Sequence, residues 1–100
     1  MKIESAILLG EIENELKESN GRISEDFIET MNASCTAEYG KIGDSCRVCV
    51  LTMKTGHRLV GEALVLDSNN DVEELGNSAA RKKAEAKMWE LIGALAKLVM

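Results

Sequence analysis

Two cysteines separated by two residues form the first candidate for chemistry in this sequence. Cys46-Arg47-Val48-Cys49 has the spacing of zinc-binding and dithiol redox motifs. The surrounding residues favour a β-strand, and residues three apart on a strand point to opposite faces, so the two thiols cannot bind one ion. Cys35 makes the number of cysteines odd, which argues against a disulfide framework. We therefore expect three reduced cysteines, of which Cys46 and Cys49 pack in the core, and no metal site.

His57 is the only histidine and the next candidate for a chemical role. Lys54 and Arg58 lie close to it in sequence, but no carboxylate is placed to make it a general base. Ser68 and Ser78 lack a neighbouring base, and the chain contains neither a phosphate-binding glycine loop nor a motif of paired carboxylates. The sequence therefore predicts a protein that is not an enzyme and uses no cofactor. His57 itself is either a solvated turn residue or a ligand contact.

The one concentrated run of positive charge is Arg81-Lys82-Lys83-Ala84-Glu85-Ala86-Lys87. Double-stranded RNA-binding domains also place a lysine- and alanine-rich helix after a β-hairpin, and their first helix contacts the minor groove. The first helix predicted here carries four glutamates, Glu11, Glu13, Glu15 and Glu18. Because these would repel RNA, we rank a solvated helix face first for the basic segment, an anionic small ligand second and RNA third.

Length and charge limit the remaining classes of function. A chain of 100 residues with 45% hydrophobic and 29% charged residues and no proline predicts one folded domain, small enough that a second subunit would help to complete its core. The formal net charge of −5 argues against a broad nucleic-acid surface, because such surfaces depend on concentrated lysine and arginine. The apolar run Ala6-Ile7-Leu8-Leu9 is too short for a signal peptide or a membrane span. We expect a cytoplasmic protein without membrane contact.

The N-terminal part of the chain follows a helical period. Its apolar stripe consists of Ile3, Ile7, Leu8, Ile12 and Leu16. The glutamates fall mostly on the opposite face, and Asn20-Gly21 predicts the end of this helix. Ser24 offers an N-cap for a second, shorter helix with Phe27 and Ile28 on its apolar face. The sequence therefore begins with two amphipathic helices.

The period then changes to that of β-strands. Cys35–Tyr39 and Cys46–Met53 are rich in β-favouring residues, and the turn residues Lys54–His57 lead into a return strand predicted over 57–66. Gly61 in that strand indicates a bulge or a close approach of another part of the chain. These segments predict a β-hairpin that a further strand extends to a three-stranded antiparallel sheet.

A long helix follows the strands. The polar loop Asp67–Asp71 can cap a helix that starts near Val72–Leu75, and a helical stripe of apolar residues runs from Ala80 to Leu98. The order of helix, helix, strands and helix predicts an α+β fold, in which the antiparallel sheet packs against the long C-terminal helix and an extra N-terminal helix is added. No internal repeat divides the sequence, so we expect a single domain over 1–100.

The hairpin and the final helix carry a family pattern. Val48–His57, continued by Val60–Ala63, resembles the hairpin of a small phage and prophage family catalogued as gene product forty-nine, which reads V-C-V-L-T-L-K-N-G-F and then V-x-G-E-S-A-C. The register continues without a gap into the final helix and covers about two thirds of the chain. The first helix has no counterpart, so we expect residues 1–20 to be added to a family core at 24–100. The other matching residues are Glu25–Ile28, Ala37–Tyr39, Glu74–Gly76, Arg81, Ala84, Lys87–Leu91 and Gly93.

This pattern is similar to that of the Thoeris anti-defence proteins, phage proteins that sequester immune signals of the cyclic ADP-ribose type. The resemblance implies a homodimer or higher oligomer that holds a small cyclic nucleotide between its subunits without catalysis. It also implies that a turn aromatic stacks on a base while arginine and asparagine hold the phosphates and ribose. Mapped by motif, the ligand-binding residues are His57, Asn70 and Arg81. The chain departs from the pattern at three places. His57 stands where the family has a phenylalanine, Asn77-Ser78 stands where it has an arginine-lysine pair, and Asp71 stands where it has a loop phenylalanine.

Two alternatives to signal sequestration stay open. A protein-interaction inhibitor of a bacterial defence complex would use the acidic N-terminal helix to occupy a basic partner or to mimic nucleic acid. A double-stranded RNA-binding-like module would use the segment that begins at Arg81.

Overall fold

Three helices and three strands make up the computed structural model, which describes residues 3–43, 45–64 and 73–99. The helices are α1 (Ile3–Glu18), α2 (Glu25–Ala33) and α3 (Glu73–Val99), and the strands are β1 (Thr36–Ile42), β2 (Cys46–Thr52) and β3 (Arg58–Leu64). The strands form one antiparallel sheet in the order β1-β2-β3, and α3 packs against it. The predicted α+β fold is confirmed. No helix in the described ranges is long and apolar enough to cross a membrane.

The turn after α1 ends the helix where the sequence predicts. Asn20 and Gly21 adopt left-handed backbone conformations, with φ of 54° and 84°. The Gly21 N–H donates to the Leu16 carbonyl at 2.7 Å. This bond joins residues five apart and is the 6→1 hydrogen bond of a Schellman motif. Because asparagine and glycine tolerate positive φ better than other residues, this pair stops the helix and reverses the chain.

Ser24 joins α1 to α2 through hydrogen bonds. Its hydroxyl caps α2 by accepting from the Phe27 N–H at 3.1 Å, as predicted. The same hydroxyl donates to Glu15 Oε2 at 2.6 Å, and the Ser24 N–H donates to that oxygen at 3.1 Å. Both bonds lower the pKa of Glu15, the hydroxyl bond contributing most. One of the four glutamates of the acidic helix therefore has a structural role.

The sheet has a continuous register across its three strands. Tyr39 pairs with Cys49, and Cys49 pairs with Gly61. β1 extends beyond the predicted end at Tyr39, because its pairing with β2 continues to Ile42, opposite Cys46. The glycine and lysine that precede Ile42 have low strand propensity, so the ladder of hydrogen bonds to β2 determines the length of β1.

Gly61 marks the place where α3 crosses β3 at short distance. A Cβ atom on Gly61 would lie 2.2 Å from the Ala80 carbonyl oxygen and 2.3 Å from the Ala84 amide nitrogen. Of the two interpretations of this glycine, the close approach is therefore correct. Ala80 and Ala84 are fully buried, and only side chains of this size permit the separation.

The core lies between the inner face of the sheet and the helices. α3 provides a stripe in which every fourth residue is buried, Ala80, Ala84, Met88, Ile92 and Ala96. The strands add Cys49, Leu51, Leu59 and Ala63, and the other helices add Leu8, Ile12 and Ile28. Because α1 and α2 both pack against α3, the N-terminal helices complete the same core that the sheet begins.

Candidate ligand-binding site

The turn between β2 and β3 presents His57 at one end of the sheet. The Met53 N–H donates to the His57 carbonyl at 2.8 Å, and the Gly56 N–H donates to the Met53 carbonyl at 2.9 Å. Gly56 has a φ of 89°, which glycine adopts without strain and which closes the three-residue loop. The predicted turn is confirmed, and the His57 side chain is exposed at its exit.

An apolar groove of about 320 Å³ opens beside His57, between α1, the turn and α3. Its lining residues, which define the leucine groove, are Ser5, Leu8, Leu9, Thr55, His57, Leu91 and Leu95. Small-molecule sites occupy about 300 to 1,000 Å³ and combine apolar walls with a few polar side chains. The leucine groove therefore has the size and lining to receive a flat aromatic group such as a nucleobase.

A second groove of about 450 Å³ lies on the other side of His57. Its lining residues, which define the cationic groove, are His57, Arg58, Leu59, Val60, Lys87, Glu90 and Leu91. The Lys87 ammonium donates to the Val60 carbonyl, which holds it at the edge of β3. His57 and Leu91 line both grooves, so the imidazole separates an apolar surface from a charged one. The charged surface carries two cations suited to phosphate oxygens, Arg58 and Lys87, and one carboxylate, Glu90.

Arg81, the predicted phosphate-binding residue, lies elsewhere on α3. Its Nη1 donates to the Tyr39 hydroxyl at 3.2 Å and its Nε to Glu85 Oε2 at 3.3 Å. The bond to the Tyr39 hydroxyl contributes most to raising the pKa of Arg81. Arg81 lines neither groove that His57 lines, and it is about 15 Å along the helix from Leu91. One chain alone therefore does not bring Arg81 and His57 together.

The third predicted site residue, Asn70, lies outside the described residues, as does the Asp67–Asp71 loop that contains it.

The cysteines occupy three different environments. Cys49 is buried against α3, whereas Cys46 lies on the opposite face of the sheet, with its Sγ 3.9 Å from Glu62 Oε2. The prediction of opposite faces is confirmed, but the expectation that both cysteines of this motif lie in the core is wrong for Cys46, which is half-buried. Burial raises the pKa of both Cys35 and Cys49, which disfavours their reactive thiolate forms. Among the described residues, no cluster of three or more His, Cys, Asp or Glu side chains could hold a metal ion.

The basic segment of α3 does not present its charges on one surface. Arg81 is directed to Tyr39 and Glu85, and Lys87 to the β3 edge. Lys82 and Lys83 are exposed. The helix therefore divides the cations among several directions instead of concentrating them on one face for a duplex.

A comparison with protein-family models finds a match over residues 13–99 to the family described as Phage protein (N4 Gp49/phage Sf6 gene 66). The chain belongs to this phage protein family. The membership confirms the resemblance of the hairpin and helix motifs to the phage and prophage family catalogued as gene product forty-nine. Neither a comparison with curated proteins nor one with solved structures finds a match. The match to the N4 Gp49/Sf6 gene 66 family starts inside α1. It includes the residues of the turn and of α3 that line the two grooves, but not Ser5, Leu8 and Leu9, which line the leucine groove from α1.

The family motif predicts His57 as a site residue but does not predict the residues that line the two grooves with it. Lys87 and Leu91 belong to the helix motif of the N4 Gp49/Sf6 gene 66 pattern, and Arg58 directly follows the turn. A signal for Leu91 and Leu95 was present in the helical stripe, but an apolar stripe alone does not distinguish a groove wall from core.

Proposed function

We propose that this N4 Gp49/Sf6 gene 66 family protein is a phage anti-defence protein that binds and sequesters a cyclic nucleotide immune signal of the cyclic ADP-ribose type. It would act in the cytoplasm of the bacterial host and without catalysis. The observation that carries the proposal is the position of His57 at the boundary between the leucine groove and the cationic groove. A nucleotide needs such a boundary, because its base is apolar and aromatic while its phosphates are anionic.

The base is assigned to the leucine groove. An imidazole offers a flat face on which adenine stacks, and Leu91 and Leu95 supply an apolar wall for the rest of the ring. Stacking of a base on an aromatic side chain contributes about 1 to 3 kcal/mol as measured by alanine substitution. His57 then performs the role that the resemblance gives to the turn aromatic.

The phosphates are assigned to cations on both sides of a subunit boundary. Arg58 and Lys87 line the cationic groove next to His57 in the same chain. Arg81 is distant from His57 within one chain, so a second copy would supply it, as in the arrangement that the resemblance implies. To bind a diphosphate with its forked donors, this Arg81 would exchange the Tyr39 hydroxyl for phosphate oxygens. Asn70 is assigned to the ribose.

Sequestration requires only tight binding at a protein concentration above that of the signal. A ligand that binds the folded protein alone stabilises it by about 2.7 kcal/mol at one hundred times Kd. For a domain of this size, that free energy raises the Tm by roughly 10 °C or more. Thermal unfolding of the purified chain with cyclic ADP-ribose and its glycosidic-bond isomers is therefore a direct test.

The controls for this test are linear ADP-ribose and AMP, which contain the same base without the ring closure. A Tm increase with a cyclic isomer and a smaller one with the linear nucleotides is expected. No Tm increase with any cyclic isomer at millimolar concentration would overturn the proposal.

A second candidate function is occupation of a basic partner protein by α1. Glu4, Glu11 and Glu18 are exposed and spaced by seven residues, which places them along one stripe of the helix. Replacing all three with lysine reverses the charge of this stripe and keeps the buried face intact. If anti-defence activity in infected cells survives this triple substitution but is lost in His57→Ala, the ligand proposal is favoured over this one.

A further inference from the structure

A groove separates α1 from α2, on the other side of α1 from the leucine groove. Both helices pack against α3, and Ser24 joins them at one end through its bonds to Glu15. Two cavities, of about 470 and 190 Å³, follow one another from that end. They form one continuous space, which we name the acidic groove, because they share the lining residues Glu11, Met31, Ser34 and Lys54.

One face of each helix forms a wall of the acidic groove. The wall on α1 runs from Glu4 through Ile7 and Glu11 to Glu15, at the spacing of residues that share one side of a helix. The wall on α2 consists of Phe27, Thr30, Met31 and Ser34. Because the distance along α1 from Glu4 to Glu15 is about 16 Å, the groove has room for about three turns of a further helix.

The surface inside the acidic groove is apolar. Ile7 is 54% exposed in its α1 wall, Met31 is half-buried in its α2 wall, and Met53, directly after β2, is buried beneath them. Methionine side chains adapt to different apolar partners, and grooves that bind amphipathic helices use them often. The groove therefore offers a contact for the apolar stripe of a helix.

The rim of the acidic groove is negative. Its four carboxylates are Glu4, Glu11, Glu15 and Asp26, whereas its one cation, Lys54, lies where the two cavities meet. The bonds from Ser24 lower the pKa of Glu15, so this carboxylate stays charged at neutral pH. Such a rim repels nucleotides, nucleic acid and anionic lipid, and it attracts a cationic partner.

We propose that the acidic groove binds an amphipathic helix of another protein, with an apolar stripe flanked by lysine or arginine. The apolar stripe packs on Ile7, Met31 and Met53, and the flanking cations meet the carboxylates of the rim. A polar or acidic residue of that helix suits the position opposite Lys54.

The inference rests on neither of the two functions proposed above. Nucleotide binding uses the grooves beside His57, and the second candidate function uses only the exposed stripe of Glu4, Glu11 and Glu18. Glu18 lies outside the acidic groove, and the stripe alone has no apolar contact to offer. Helix binding can therefore be measured without a nucleotide.

A model peptide of leucine and lysine tests the proposal on the full-length chain. The probe has about fourteen residues, roughly 21 Å as a helix, with its leucines at helical spacing. On titration, the methyl resonances of isotope-labelled Met31 and Met53 are expected to shift, whereas that of Met88, which is fully buried, is not. A peptide with glutamate in place of every lysine should leave all three unchanged. The proposal is overturned if the lysine peptide at millimolar concentration shifts neither Met31 nor Met53.

Two matched pairs of variants locate the bound peptide. Glu11→Lys reverses a charge inside the groove, and Glu13→Lys makes the same change on the opposite side of α1. The first should weaken peptide binding about tenfold and the second less than about twofold. Ile7→Ser should also weaken binding about tenfold, whereas Leu98→Ser, at an exposed residue of α3, should not. Equal weakening by the two lysine variants would show that only the overall charge attracts the peptide, and would overturn the proposal.

Two further results would assign the groove to another occupant and so overturn the proposal. One is a shift of Met31 and Met53 with protein concentration in the absence of peptide, which a second copy of the chain in the groove would cause. The other is displacement of the peptide by an equal concentration of spermidine, which would indicate a site for a small cation.

Discussion

The Arg81 guanidinium donates from Nη1 to the Tyr39 hydroxyl at 3.2 Å, and so connects α3 to β1 across 42 positions of sequence. Its Nε binds Glu85, four residues further along the same helix. A residue chosen for ligand binding by motif is therefore also part of the contact between helix and sheet. The structural role of Arg81 and the ligand role proposed for it can be separated by experiment.

Tyr39→Phe removes the acceptor of the Arg81 bond and leaves the guanidinium in place. Because this contact is partly exposed, we expect a loss of about 0.5 to 1 kcal/mol in the free energy of unfolding, measured in urea. Arg81→Ala should lose more, since it removes both bonds and the packing of the alkyl chain. Lys82→Ala is the control, an exposed change that should stay within about 0.5 kcal/mol.

Ligand titrations of the same variants assign the second role. If Arg81 holds phosphates, Arg81→Ala should weaken binding whereas Tyr39→Phe should preserve it, because only the first removes the guanidinium. Equal affinity in both variants and the wild-type chain would contradict the role that the resemblance gives to Arg81.

Gly61→Ala tests the close crossing of α3 over β3. The added methyl group would overlap the backbone at Ala80 and Ala84, so helix and strand must separate, and we expect a loss of about 3 kcal/mol or more. Gly93→Ala is the control substitution on α3, where no atom outside the neighbouring backbone of the helix itself lies within 4 Å of the new Cβ. It should stabilise the protein by about 0.5 to 1 kcal/mol through helix propensity. Similar unfolding free energies for the two variants would refute the close crossing.

Glu15 makes the stability depend on pH in acid. Its pKa in the folded protein is lowered from the ordinary value of 4.5 by the bonds from Ser24, so the unfolded chain takes up a proton first as the pH falls. The stabilisation is complete above the ordinary pKa and is lost as the pH falls through the lowered one. Glu15→Gln should therefore reduce the Tm at pH 7 more than at pH 3.

A double-mutant cycle identifies the source of this dependence. In a Ser24→Ala background the effect of Glu15→Gln should become smaller, because the hydroxyl that contributes most to the shift is absent. An unchanged effect in that background would show that the Ser24 hydroxyl does not stabilise the Glu15 carboxylate.

Local signals in the sequence predicted the elements of the fold well. Asn20-Gly21 and Gly56 require backbone conformations that few other residues adopt, and Ser24 offers a side-chain acceptor that a helix start needs. The extension of β1 to Ile42 was missed, because pairing with β2 rather than local propensity determines it.

The site was harder to predict for a physical reason. The leucine groove joins residues near position 8 to residues near position 93, and the relation of Arg81 to Tyr39 depends on how α3 crosses the sheet. Neither relation follows from sequence spacing. The family motif places His57 correctly on an exposed turn. It gives no indication that Arg81 lies on a part of α3 away from Leu91 and the grooves beside His57.

Isothermal titration calorimetry of the isomers of cyclic ADP-ribose into wild-type, His57→Ala and His57→Phe proteins tests the central claim most directly. We expect the wild-type chain to bind one isomer, His57→Ala to lose about tenfold to a hundredfold in affinity, and His57→Phe to bind at least as tightly as the wild type. Binding that is equally tight in His57→Ala, or no binding of any isomer to the wild-type chain, would contradict the account.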